Sequence, residues 1–390
     1  MSDKDFVQGV FWNNFPCKNS KHLRMFDQQV RKTSLRKKQY PYIIFTGTTN
    51  IDFKFIINDP VLTADLKQKQ ALHIYLYEPT SLYVNDGFTQ HYYSEFHNKH
   101  NENARASELD DIRDLVKKTG LEVIVHTCDY TRTGVLQSYY PEFEVVCDDF
   151  FIKSTNNIFR RPIHKDIKKP FWCSNGRYTI HRHLMMSFLA NKQGNYSWHF
   201  TCYNFDEILN KISWVEQPLP FEKLNAGNEI LNHTHFSLDG KPERLNVDDP
   251  AKFYLPDHHF INNADYMSTY NSCFCAVINE TRFAQPFANI SEKTLDAIAV
   301  KMPFILVAPP RSLEYTRRLG FKTFSEYWDE SYDLEENHSK RMAKIFDVID
   351  YLNSKSINEL RDMYNSMSKI IAYNYKKAKL FHRHEIILPS

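Results

Sequence analysis

Ser291-Glu292-Lys293-Thr294-Leu295-Asp296-Ala297-Ile298, followed by Lys301-Met302-Pro303-Phe304-Ile305-Leu306, is the stretch on which the reading of this chain turns. Ser291 is a good helix N-cap, and Leu295, Ile298 and Ala299 recur at helical spacing behind it. Pro303 restricts the residue before it and cannot continue the ladder, so the helix stops by Met302. Phe304 to Val307 then reads as a buried strand that ends at Pro309-Pro310. A helix start gathers unbonded N–H groups and positive partial charge, which suits a phosphate. Glu292 and Lys293 sit on that first turn, where a carboxylate can take sugar hydroxyls and an ammonium can face a diphosphate. The same residues also suit an ordinary capped surface helix.

Working outward, strand and helix signals alternate. Tyr42 to Thr46 enters a turn at Gly47, and Leu72 to Tyr77 is followed by Glu78-Pro79. Ser107 to Lys118 is helical and stops at Gly120. Leu121 to Val125 ends in His126-Thr127-Cys128-Asp129, and Phe143 to Val146 ends in Asp148-Asp149. This order predicts a parallel doubly wound sheet, with ligands beyond the carboxyl ends of its strands. Residues 158–170, basic and Pro-bounded, read as a linker. Beyond it, Phe171 to Gly176 is a short strand and turn, with Arg177 and Arg182 near the start of a helix over His181 to Leu189. Tyr196 to Cys202 and Phe274 to Ile278 are strand-like, and 205–214 is helical. Residues 215–265 read as irregular. Lys340 to Tyr351 and Ile357 to Lys376 are amphipathic helices, the second long.

At 390 residues the chain exceeds one compact core, so two domains are expected. No signal peptide or membrane span is legible. Seven scattered cysteines without a CxxC pair fit reduced thiols, and so a cytoplasmic protein. Ten glycines form neither a GxGxxG nor a Walker loop, which argues against dehydrogenases and P-loop NTPases. The net charge of +2 does not by itself imply nucleic acid. The N-terminus does carry Phe11, Trp12, Phe15, Lys18, Lys21 and Arg24, then Arg31, Lys32, Arg36, Lys37 and Lys38. That run is either a solvated helix face or a patch that meets DNA phosphates.

Three His-x-His triplets, at 181–183, 233–235 and 382–384, lack a nearby Cys or carboxylate at usual ligand spacing, so they read as surface or packing residues. Asp148-Asp149 is an adjacent acidic pair, not a spaced one, and the expectation is that no metal is required.

The second half resembles the donor-binding domain of GT-B glycosyltransferases. Ser174-Asn175 followed by Arg182, then Ile278-Asn279-Glu280-Thr281, then Ser291-Glu292-Lys293-Thr294-Leu295-Asp296-Ala297 are similar to three elements of inverting fucosyltransferases. The second of these has an altered order. Glu292-Lys293-Thr294, Pro303-Phe304-Ile305-Leu306, Leu319-Gly320-Phe321-Lys322-Thr323-Phe324 and Asp329-Glu330-Ser331-Tyr332-Asp333 together resemble sugar transferases of large tailed bacteriophages. The resemblance covers about residues 171–375.

It implies two facing Rossmann-like domains with a cleft between them: 1–165 binding the acceptor and 166–375 the nucleotide sugar, with 376–390 packing back on the first. Arg182, assisted by Arg177, pairs with the donor diphosphate, and a guanidinium fork suits paired phosphate oxygens. Glu292 takes ribose hydroxyls, Lys293 faces a phosphate with Ser291 and Thr294 on the same turn, and Asn175, Asn279 and Glu280 line the donor. Asp329, Glu330 and Tyr332, after a strand over Lys322 to Phe324, either support the site or only start a helix. Inversion needs one general base near the acceptor hydroxyl; Glu78 is the first candidate, then Asp129, then His126. The phage resemblance implies 5-hydroxymethylcytosine in double-stranded DNA as acceptor. The sugar, by contrast with T-even glucosyltransferases, is expected to be arabinose from a UDP donor, with glucose as the alternative. A transferase acting on a glycan or protein, and an inactive GT-B module that binds nucleic acid, are the rival readings.

Overall fold

In the computed structural model, the residues described are 10–12, 42–46, 71–76, 113–114, 116–117, 120, 122–127, 133–147, 165–175, 179–190, 192, 194–198, 219, 224, 235–236, 242–243, 270–280, 282–284, 288 and 290–381. The chain divides into two compact units, Met1–Asn156 with His382–Ser390, and Asn157–Phe381. Each is α/β with a parallel sheet.

The first unit carries β1 (Val10–Trp12), β2 (Tyr42–Thr46), β3 (Ala71–Leu76), β4 (Glu122–Thr127) and β5 (Glu144–Cys147), hydrogen-bonded in that order and all parallel. The first strand is therefore Val10–Trp12 and not Tyr42–Thr46; Phe11 and Trp12, read as part of a helical or phosphate-meeting run, lie in a strand. A helix over Thr133–Tyr139 (α1), which the sequence pattern did not reveal, connects β4 to β5. Gly120 ends the preceding helical residues as expected: its N–H reaches Val116 O at 2.8 Å and its φ is 66°.

In the second unit, β6 (Lys169–Asn175), β7 (Gly194–Trp198), β10 (Cys273–Asn279) and β11 (Phe304–Val307) form a parallel sheet in the order β11-β10-β6-β7. The short β8 (His235–Phe236) and β9 (Pro242–Glu243) pair antiparallel apart from it. β6 takes in the last two residues of the expected linker. Chain order runs outward one way from β6 to β7 and the other way from β10 to β11. The reversal point lies between β6 and β10, where open α/β sheets hold their ligands. With chain order running outward both ways, the general rule of right-handed crossovers assigns the connecting helices α2 (Ile180–Leu189) and α3 (Glu292–Ala299) to opposite faces. Every residue of α2 is buried, and Phe188 stacks on Phe346 of α5 (His338–Asn353) at 3.8 Å.

α3 starts and stops as its sequence predicts. Ser291 Oγ accepts from Lys293 N. At the far end Lys301 N bonds Ile298 O and Met302 N bonds Ala297 O, a Schellman closure with Lys301 at φ 54° where glycine is usual. β11 is buried at all four positions.

Two expectations change. Lys322 to Phe324 is not a strand, because side chains replace the neighbouring strand. Asn374 bonds both Lys322 N and Lys322 O at 2.8 Å, and Glu330 accepts from Phe324 N at 2.7 Å. The single long helix is two, α6 (Ile357–Ser366) and α7 (Ser368–Phe381), which follow α4 (Ser312–Arg318) and α5 in the chain. Ser366 Oγ bonds back to Met363 O at 2.7 Å, and such back-bonding bends helices; Met367 at the bend is fully buried.

Candidate functional site

Asn175 closes β6 and Asn279 closes β10, and the register that sets Ala276 opposite Trp172 puts the two asparagines level. Both are almost fully buried, at 2% and 1% exposure. Their Nδ2 atoms converge on one thiol, Cys173 Sγ, at 3.5 and 3.2 Å. Among the described residues neither Oδ1 has a hydrogen-bond partner. A buried amide oxygen without a donor costs about 1–3 kcal/mol, so two of them at a strand-order reversal are acceptors open to water or to the donors of a ligand. Burial pushes the Cys173 thiol up to about 12, against the opposing pull of Asn175, Arg182 and Asn279. It is therefore a protonated, unreactive thiol.

α2 delivers cations to the same place. Arg182, 3% exposed, donates from Nη2 to Asn279 O at 3.1 Å. The ring of His181 meets Glu280 O at 2.8 Å through Nε2, which must donate because the partner is a carbonyl. Burial, then the charge of Arg182, holds His181 down to about 3, with Arg341 and Arg282 adding to the effect. Three guanidiniums thus bear on one neutral imidazole. His181 stacks on Phe283 at 5.4 Å, and the Arg341 guanidinium lies 4.3 Å from the centre of the same ring. Arg341 also donates to Phe283 O and to Glu335 O, tying α5 to the loop after β10.

The start of α3 is held from across that loop. Glu280, fully buried, accepts at Oε1 from Ser291 N at 2.8 Å and from Thr294 Oγ1 at 3.3 Å. Lys293 is half-buried, with Nζ 3.3 Å from Ser291 Oγ. A phosphate at this helix start would share it with an internal carboxylate. The net cationic character of the region lies with the arginines instead.

Asn175, Arg182, Asn279, Glu280, Ser291, Lys293 and Thr294 therefore gather around the carboxyl ends of β6 and β10 and the start of α3. Glu292 opens α3, and Arg177 lies outside the described residues. His126 is buried near the end of β4, between Tyr75 of β3 and Val146 of β5 in register. Glu78, Asp129, Asp148, Asp149, Arg31, Lys32, Arg36, Lys37 and Lys38 lie outside the described residues. Asp329 and Glu330 organise their own segment. Asp329 accepts from Ser331 N at a 3-10 turn over Ser331–Leu334, and Glu330 pairs with Arg317 at 3.4 Å. Asp333, one residue past Tyr332, accepts from Leu313 N and Glu314 N at the start of α4.

Cys173, Arg282 and Arg341 were not singled out by the sequence. Arg282 carried a legible signal, a cation just past a strand end beside Asn279-Glu280, whereas Arg341 reaches the region only through tertiary packing of α5. Among the described residues no group of three or more His, Cys, Asp or Glu could hold a metal ion, and no helix is long and apolar enough to cross a membrane.

No family model matches this chain, and no curated protein does. A solved structure, "T4 phage BGT in complex with UDP and Mn2+", is similar at TM-score 0.39 and 8% sequence identity, over 96% of this chain and 94% of that one. A likeness of that size carries no argument about the chemistry of this chain.

Proposed function

We propose that this chain is a nucleotide-sugar-dependent glycosyltransferase of GT-B architecture that binds a UDP-sugar on its second unit. The observation that carries the reading is the juxtaposition, at one strand-order reversal, of two buried carboxamide oxygens without hydrogen-bond partners among the described residues and the Arg182 guanidinium, which bonds the Asn279 backbone carbonyl. The oxygens accept from ligand hydroxyls or base N–H groups. The guanidinium, with Arg282 and Arg341 nearby, offsets the charge of a diphosphate. In this reading the second-unit site supplies binding and charge and not the base: Cys173 is protonated, His181 is held down to about 3 and so is a poor proton acceptor, and Glu280 Oε1 is engaged by Ser291 N and Thr294 Oγ1. In this reading the base that takes the acceptor proton comes from the first unit, with Glu78, Asp129 and His126 as candidates in that order. The facing of two Rossmann-like domains across a cleft, and an inverting course, belong to the same proposal.

The acceptor in this reading is the hydroxyl of 5-hydroxymethylcytosine in phage DNA, supported by the motif order shared with phage sugar transferases. The sugar is arabinose, with glucose as the alternative. The test is mass spectrometry of hydroxymethylated DNA, a glycan panel and a protein acceptor, each incubated with the chain and a set of nucleotide sugars. A mass increase of one pentose on hydroxymethylated DNA from a UDP donor is expected. Transfer only to glycan or protein overturns the acceptor. No transfer and no donor hydrolysis with any sugar overturns the enzyme reading.

A further inference from the structure

We propose that α7 is a docking face for the phosphate backbone of a nucleic-acid duplex. Its fourteen residues, Ser-Lys-Ile-Ile-Ala-Tyr-Asn-Tyr-Lys-Lys-Ala-Lys-Leu-Phe, include four lysines and no acid. Two more lysines from neighbouring segments border it. Lys301 Nζ lies 4.9 Å from the Tyr375 ring centre, and Lys322 Nζ lies 4.9 Å from that of Tyr373. Lys379 approaches Tyr375 at 4.7 Å. Among the described residues, none of Lys301, Lys322, Lys369, Lys376, Lys377 or Lys379 forms an ion pair. Lys192, Lys168 and Lys344 elsewhere in the unit each do.

Six cations that form no ion pair among the described residues repel one another, and an incoming polyanion relieves that repulsion. The arrangement selects the kind of polyanion. Lys369, Tyr373, Lys376 and Leu380 form one exposed stripe, the order expected of positions three and four apart. Lys369 and Lys376 are about 10 Å apart along the axis, at about 1.5 Å per residue. That spacing is comparable with the roughly 12 Å width of a major groove, so the two reach phosphates on opposite edges. Lysine rather than arginine supplies every charge, which fits point contacts to phosphate without readout of base edges. A membrane surface fits less well. The exposed large apolar side chains of α7 are Tyr373 and Leu380, and the Tyr373 ring already faces an ammonium. The inference stands apart from the sugar-donor site and holds whether or not the transfer reading does.

The test is fluorescence anisotropy of a labelled DNA duplex with the full chain across a salt series, for wild type and a Lys369→Gln/Lys376→Gln/Lys379→Gln variant. These side chains make no ion pair, so the variant should fold, as checked by its melting temperature. UDP-induced thermal protection reads the donor site separately and should be the same in both proteins. If the face docks phosphates, the variant loses about 0.9 from the salt slope for each contact removed, nearly three in all. Affinity should fall at least tenfold at low salt. The same slope in both proteins, no duplex binding by wild type, or binding of phosphatidylserine vesicles in place of DNA overturns the proposal. Loss of UDP protection with intact duplex binding counts against the donor site and leaves this face standing.

Discussion

The carboxylate of Glu280, at the end of β10, accepts a hydrogen bond from the backbone N–H of Ser291, the N-cap of α3, at 2.8 Å. That contact joins residues eleven positions apart in the chain, and Thr294 adds a second bond to the same oxygen. Removing the carboxylate leaves a buried N–H and a buried hydroxyl without their acceptor. Glu280→Ala should therefore lose about 2–4 kcal/mol of unfolding free energy, and Glu280→Gln about half as much because its amide oxygen can still accept. Urea denaturation followed by circular dichroism measures both; equal stability of the alanine variant would show that the contact does not hold α3.

The environment of His181 makes stability depend on pH. Its folded value near 3 lies below the ordinary 6.5, because burial and Arg182 disfavour the imidazolium. The unfolded chain therefore binds the extra proton first. The contribution of neutral His181 is complete above 6.5 and is lost as pH falls from there toward 3. One such group costs up to about 1.4 kcal/mol per pH unit inside that window. His181→Gln, which keeps a donor for Glu280 O, should fall less steeply on acidification than wild type. Denaturant titrations at several pH values across this window check it, and parallel curves would remove His181 as a contributor.

Asp333 reaches back twenty residues to serve the start of α4, accepting from Leu313 N at 2.7 Å and Glu314 N at 2.9 Å at its carboxylate, while the Asp333 backbone carbonyl accepts from Arg311 N. Losing this cap should cost about 1–2 kcal/mol. Asp333→Asn, retaining one acceptor, should be milder than Asp333→Ala in thermal unfolding. An alanine variant as stable as wild type would contradict the assignment.

That remote cap also explains what the sequence left unread. α3 was legible because its signals are local: Ser291 at its start, apolar spacing within it and Pro303 beyond it. α4 was not, since its cap arrives from Asp333 and its own entry residue, Arg311, sits at φ 66° without the glycine that advertises such a conformation. β1 is three residues long and finds its partner in Tyr42–Thr46, about thirty residues on, so no local alternation marks it. Of the candidate site, the strand-end asparagines and Arg182 were reached through the resemblance of their motifs to those of inverting fucosyltransferases. Their convergence on Cys173 was not, because it depends on the register between β6 and β10. The occupation of the α3 start by Glu280 was equally invisible, since it is a contact across a loop.

The proposed transfer, with arginine neutralising the diphosphate, carries an expectation about divalent ions. With Arg182, Arg282 and Arg341 bearing on the same region, transfer should persist in excess EDTA at a large fraction of its untreated rate. A radiolabelled-sugar transfer assay measures this. Complete loss, restored by manganese or magnesium, would show that a metal ion carries the diphosphate instead.

Calorimetric titration of UDP into the full chain tests the proposed donor site most directly. Wild type should release binding heat. Arg182→Lys, which keeps a cation and the buried stem but loses the planar fork, should bind at least about tenfold more weakly. Arg182→Ala should lose on the order of 2–5 kcal/mol of binding, beyond detection for a micromolar ligand. An unchanged melting temperature in the lysine variant separates this loss from unfolding. A lysine variant that binds UDP as tightly as wild type, or a wild-type chain that releases no heat with UDP, would contradict a nucleotide-sugar site between β6 and β10.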